Sequence, residues 1–248
     1  MHATARRLEL STPAGPMRVY ETAPAPAGPR PGLVLLMDGL GWRPTLFPIA
    51  DRFAAAGLRV VVPDLFHRVG PDVHFDAKEV FGNPDKLAEM RKQLASVTSE
   101  TAMQDVQACL DHLAAAPDAS GRAGAIGYCM GGRFALVAAA RFPERLAAIA
   151  SIHGGRLVTP DADSPHLAAP AIRAAMYFAI AQDDSSFTAA DEAALRAALE
   201  AAGKPFEMEP YAARHGWTMA DAPVHDPGEA ERHLQRATAF LTAKLAGA

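Results

Sequence analysis

Only two cysteines, Cys109 and Cys129, occur in 248 residues, too few for a disulfide framework and in keeping with a reducing compartment. No apolar run reaches the ~18–20 residues needed to cross a bilayer. The N-terminal MHATARRLEL lacks the apolar stretch of a secretory signal. Basic charge is not in excess: 24 Lys and Arg against 28 Asp and Glu leave a formal net charge of −4. Such a balance gives no electrostatic footprint for nucleic acid or an anionic membrane surface. A Gly-rich phosphate loop, zinc-ligand spacing and a flavin fingerprint are all missing, so no cofactor and no metal are expected. These absences lead to the expectation of a soluble, cytoplasmic, globular protein. Oligomeric state is not legible, because packing on its own sheet accounts for the apolar stripe of the closing helix.

What is present is a large core and an alternating pattern. Hydrophobic residues make up 50% of the chain, and its length suits one α/β domain spanning residues 1–248. Arg7–Leu10 and Met17–Tyr20 flank the turn-rich STPAGP and predict an N-terminal β-hairpin. A Pro/Gly connector follows at residues 23–32. The continuous apolar run 33–37 reads as a strand buried on both faces, 58–66, 146–153 and 174–181 as further strands, and 206–212 as the last strand. Helical spacing marks residues 45–56, 100–116 and 228–245. Thr188 and Asp191 form a T-x-x-D capping signature before a helix that ends at Gly203. Between them, HRVGPDVHFDAKEVFGNPDK shows no clear periodicity and reads as a long excursion. Strands alternating with helices predict a mostly parallel central sheet covered on both faces. Ligands of such sheets bind at the carboxyl ends of the strands.

The chemistry concentrates in GAIGYCMGGRFAL, residues 124–136, where a strand runs straight into a helix with Cys129 at the joint. Gly127, Gly131 and Gly132 keep that turn clear of side chains. The following helix aims its first N–H groups at the sulfur, favouring a thiolate and a developing oxyanion. A thiolate needs a base, and the base an orienting acid. His215 lies just past the last strand, and Asp183 and Asp184 just past the one before it, in the chain order of α/β-hydrolases. The remaining histidines read as structural or solvated. His112, His225 and His233 sit on or near helices, and His67 and His74 do not form a metal-ligand pattern. His153 and His166 lie near the strand 146–153 and its loop, where a substrate-pocket role stays open but has no support in the sequence.

GYCMGG, the acid after AIAQDD, the HGW segment and MDGLG together resemble the dienelactone hydrolase family of α/β-hydrolases, over roughly residues 8–245. The resemblance implies the α/β-hydrolase fold and a triad of Cys129, His215 and an aspartate. Asp184 fits the family's spacing to a following apolar residue, here Phe187, with Asp183 the alternative. Gly39 and Met130 would supply the oxyanion N–H groups. The family's thiol-modulating glutamate corresponds to Asp38, which is shorter by one methylene, roughly 1.5 Å, and which serves equally as a cap for its own loop. The family's substrate-carboxylate arginine four residues after the histidine is replaced by Met219, leaving Arg68 and Arg133 as candidate substitutes, although arginines in such places more often lie on the surface or in salt bridges. Trp42, Phe66, Tyr128 and Trp217 are candidates for lining an apolar pocket, although core packing explains them equally well.

Cysteine itself bears on the substrate. A thiol ionises with a pKa of about 8.5, whereas an alkyl alcohol lies near water at about 15.7. A tetrahedral intermediate therefore expels the thiolate and reverts unless the departing oxygen is a stabilised anion or is protonated early. The expectation is a hydrolase of a small activated ester or enol lactone working through an acyl-thioenzyme. The alternative is a hydrolase-fold sensor of a ligand or oxidant acting through Cys129, and peptidase or transferase use of the same residues stays open.

Overall fold

In the computed structural model, residues 3–24 and 28–246 are described. Of the Pro/Gly connector at 23–32, residues 25–27 lie outside them. The hairpin is longer than the sequence suggests: β1 (Ala3–Thr12) pairs antiparallel with β2 (Gly15–Pro24), Leu10 facing Met17. β2 in turn pairs antiparallel with β4 (Arg59–Pro63). From there the sheet is parallel, through β3 (Arg30–Leu36), β5 (Ala119–Tyr128), β6 (Leu146–Ile152), β7 (Ala175–Ala181) and β8 (Phe206–Tyr211). The order across the sheet is β1-β2-β4-β3-β5-β6-β7-β8. This is the expected α/β-hydrolase arrangement: a mostly parallel sheet entered by an antiparallel hairpin.

Helices cover both faces because β3 to β7 bury both of theirs. Leu33 to Leu36 and Ala148 to Ala150 are inaccessible to water, as unbroken apolar runs require. α1 (Leu46–Ala55) and α7 (Pro227–Leu245) touch one another on one side of the sheet. On the other side, α4 (Ser99–Ala114) packs against α5 (Met130–Arg141). α6 (Ala189–Ala201) starts on the predicted capping pair, the Thr188 hydroxyl accepting from the Asp191 N–H while Asp191 accepts from the Thr188 N–H.

The excursion after β4 is not structureless. It carries a single turn, α2 (Ala77–Val80), and then α3 (Pro84–Ser96). α3 buries only Met90, so it has no apolar stripe for a pattern search to find. Its start was nevertheless written in Asn83-Pro84: the Asn83 side chain accepts from the Asp85 and Lys86 N–H groups, and proline occupies the first turn. Leu40, Ala77, Val80 and Met90 form a small cluster separate from the main core, which places α2 and α3 over the loop that follows β3.

Candidate active site

Close approach at the end of β5 dictates the three glycines. A Cβ on Gly127 would lie 1.9 Å from the Gly131 carbonyl oxygen, one on Gly131 2.4 Å from that of Leu36, and one on Gly132 2.7 Å from Ser151 Oγ. The first turn of α5 thus presses directly on β3 and β6. Cys129 is held at φ 53°, ψ −114°, a conformation that costs a non-glycine residue on the order of 1–3 kcal/mol and persists only where surroundings enforce it. Its carbonyl accepts from the Gly132 and Gly155 N–H groups, and its own N–H donates to the Ile152 oxygen at 3.1 Å. Met130 begins α5 immediately after it.

His215 leaves β8 on a short loop and meets the acid from β7. Its Nδ1 lies 2.6 Å from Asp184 Oδ2, while Asp184 Oδ1 accepts from the Ser186 N–H at 2.8 Å and hydroxyl at 2.6 Å. Asp183 is solvent-exposed with φ 54° and is not the partner of His215. Burial works against a charged His215, but the Cys129 sulfur and the Asp184 carboxylate outweigh it and raise its pKa to about 10. Burial likewise opposes the Asp184 carboxylate, and the bonds from His215 and Ser186 overcome it to hold its pKa below the usual range.

Asp38 is placed on an arginine rather than on the thiol. Arg43 Nη1 and Nη2 donate to its two oxygens at 2.5 and 3.0 Å, and the Leu40 N–H donates to Oδ1. The same guanidinium reaches Asp221 through Nε at 2.6 Å, tying the loop after β3 to the loop after β8. The loop-capping reading of Asp38 is the one these bonds serve. Gly39 sits beneath α3, where a Cβ would meet the Leu94 side chain at 2.8 Å.

The other candidates divide. Arg68 is bound through both Nη atoms to the fully buried Asp105 and is not available to a substrate. Trp42 donates to the Val62 oxygen and packs against Phe47 in the core. Phe66 is fully buried, and Tyr128, also fully buried, faces His233 through its hydroxyl. Trp217 stacks on Tyr211 with no exposure, and Met219 is buried beside it in the chain. For these four aromatics the structure gives core positions. Arg133 differs: it is half-buried, its Nε is enclosed without a hydrogen-bond partner, and one Nη reaches only the Ser99 hydroxyl at 3.3 Å. Burial, then Arg156, pushes its pKa down against the pull of Asp163 and Asp161.

Ser186 and Arg43 escaped the sequence reading, and His153 was set aside by it: Ser186 braces Asp184, Arg43 holds Asp38, and His153 Nδ1 lies 3.1 Å from the Cys129 nitrogen. His153 follows a strand at the carboxyl edge of the sheet, the same positional signal that singled out His215. A cavity of about 660 Å³ opens behind the acid, among Asp183, Asp184, Phe187, Glu192, Tyr211 and Arg232, and neither Cys129 nor His215 lines it. Among the described residues no group of three or more His, Cys, Asp or Glu could hold a metal ion, and no helix is long and apolar enough to cross a membrane.

Known proteins share this architecture. The Dienelactone hydrolase family model matches residues 17–245. A carboxymethylenebutenolidase of Rhodococcus opacus is 32% identical over 129 residues, 52% of this chain and 46% of that protein. The match thus spans about half the length of that relative. A Klebsiella pneumoniae protein whose name places it among the dienelactone hydrolases superposes with a TM-score of 0.85 at 21% identity, covering 100% of both chains. A dienelactone hydrolase-like promiscuous phosphotriesterase from metagenomic libraries gives 0.77 at 22%, covering 98% of this chain and 99% of the other. These structural likenesses concern the fold, whereas the family match runs from the second strand to the end of the last helix: the chain belongs to the dienelactone hydrolase family.

Proposed function

We propose that the protein hydrolyses small activated esters or enol lactones, with Cys129 as nucleophile, His215 as acid and base, and Asp184 as its orienting carboxylate. The observation that carries this reading is the 2.6 Å contact of His215 Nδ1 with Asp184, on a histidine whose charged form is favoured by the Cys129 sulfur. The step begins with His215 as an imidazolium, the form its raised pKa favours, and with the Cys129 sulfur attacking as the thiolate, the nucleophilic form of a cysteine. The sulfur attacks the acyl carbon, a C–S bond forms, and the carbonyl electrons move to oxygen, met by the Gly39 and Met130 N–H groups. Collapse breaks the C–O bond, and His215 Nε2 delivers its proton to the departing oxygen. The neutral histidine then takes a proton from water as the water oxygen attacks the thioester. Expulsion of the thiolate restores the ion pair.

Because a thiolate leaves more readily than an alkoxide, the forward path favours enolate, phenolate or thiolate leaving groups. Arg133, half-buried and with one Nη bound only to the Ser99 hydroxyl at 3.3 Å, is assigned to hold a substrate carboxylate in place of the missing arginine at Met219. Asp38, ion-paired to Arg43, anchors the oxyanion loop in this account and does not modulate the thiol.

Stopped-flow turnover of an aryl acetate by the wild type, Cys129→Ala and His215→Ala tests the reading. Both variants should lose on the order of 10³-fold or more in kcat while remaining folded. Retained turnover in Cys129→Ala would refute it, and a stable thiol adduct without hydrolysis by the wild type would favour the sensor alternative.

A further inference from the structure

Beneath the nucleophile lies a second histidine that the steps above leave unused. His153 follows β6, is 1% exposed and sits at φ 38°. The Cys129 N–H is shared between the Ile152 carbonyl and His153 Nδ1, each at 3.1 Å. On the far side of the ring, Nε2 lies 2.8 Å from Thr218 Oγ1. The ring also stands edge-on to His215, with centroids 4.9 Å apart. Thr218 is in the same short loop as His215. One imidazole therefore touches both the peptide that carries the nucleophile and the loop that carries its base.

These contacts fix the proton. A backbone N–H can only donate, so Nδ1 must present a bare lone pair, and the single proton sits on Nε2, donated to the Thr218 hydroxyl. A second proton would set N–H against N–H at Cys129 and place a cation beside His215. Burial, then the fields of His215 and His233, keep the ring neutral by pushing its pKa well below the ordinary value.

We propose that His153 is a positioning residue, a neutral imidazole clamp that holds the Cys129 peptide and the Thr218 loop in fixed register and so aligns the sulfur with His215. The proposal rests on the reading of Cys129 and His215 as nucleophile and base. The strained backbone of Cys129 needs surroundings that over-determine it, and Nδ1 is the side-chain acceptor that does so. Without the clamp the peptide relaxes and the sulfur shifts against the imidazolium, and a displacement of ~1 Å at a reacting pair costs as much as ~10²-fold in rate.

Two pairs of variants test it. His153→Asn sets an amide oxygen about where Nδ1 stands and tolerates left-handed backbone, whereas His153→Leu fills the space without an acceptor. Thr218→Ser keeps the hydroxyl, whereas Thr218→Val removes it at nearly constant shape and leaves Nε2–H buried without a partner. The readouts are the rate of Cys129 alkylation by iodoacetamide at neutral pH, located by peptide mass spectrometry, and kcat and KM on an aryl acetate. His153→Leu and Thr218→Val should lose about tenfold or more in alkylation and kcat with KM changed less than about twofold, while Asn and Ser stay within about threefold of wild type. Wild-type rates in Leu and Val, or an Asn variant as slow as Leu, would overturn the clamp. Should His153→Leu fail to fold, the Thr218 pair decides alone. Alkylation needs no ester, so His215→Ala separates the two readings. Slowed alkylation there beside unaffected Leu and Val would overturn the clamp alone, and an unchanged rate there would overturn the nucleophile–base reading and the clamp with it.

Discussion

Burial by itself would leave His215 uncharged, and the Cys129 sulfur and the Asp184 carboxylate beside it reverse that outcome. A folded-state pKa raised from 6.5 to about 10 means that His215 contributes stability in full below its unfolded pKa. That contribution is lost as the pH rises through about 10. Removing the sulfur removes the largest favourable contribution: in Cys129→Ala, NMR titration of His215 should give a clearly lower pKa than in the wild type. An unchanged titration would mean that the sulfur does not sustain the imidazolium. The residues of this site were legible in unequal measure. Cys129, His215 and the Asp183–Asp184 pair stood out because each follows a strand, and the sheet's carboxyl edge is where such residues meet. Asp38 and Arg68 were each left between two roles for one reason: the local sequence does not say which partner a carboxylate or guanidinium meets. Those partners, Arg43 and the buried Asp105, emerge only when the chain is folded.

At the scale of elements, the elbow between β5 and α5 is held by backbone contacts that leave no space for a methyl group. Gly131→Ala would set a Cβ 2.4 Å from the Leu36 oxygen, and neither partner can yield without moving β3 or α5. We expect a loss of about 2 kcal/mol or more in urea unfolding, with reduced activity, as overpacking against backbone does. Gly82→Ala provides the contrast, because its Cβ would meet nothing closer than the Lys78 oxygen at 3.6 Å. It should fall within ~0.5 kcal/mol of wild type, and equal effects at the two positions would contradict this account of the elbow. The strands were readable because double-sided burial forces unbroken apolar runs. α3 was not, since a helix that buries one side chain leaves no period to detect, and only its Asn-Pro start betrayed it.

Across the whole molecule, the site is assembled by five strand ends that bring in loops distant in sequence and then tie them together. Arg43 joins the loop after β3 to the one after β8, Asp184 joins the β7 loop to His215, and His153 joins β6 to both the elbow and Thr218. The alternation of elements foretold the sheet, but not these cross-links, each of which pairs residues that no local pattern connects. Their joint effect is to hold Cys129, His215 and Asp184 together at the carboxyl edge of the sheet, and the proposed function stands or falls on whether the Cys129 sulfur carries the acyl group. The most direct measurement is intact-protein mass spectrometry after rapid acid quench of the enzyme mixed with a slowly hydrolysed aryl ester. The account predicts a transient mass increase of one acyl group, mapped to the peptide containing Cys129 and absent from Cys129→Ala. Steady hydrolysis with no adduct on Cys129, and undiminished in Cys129→Ala, would contradict it.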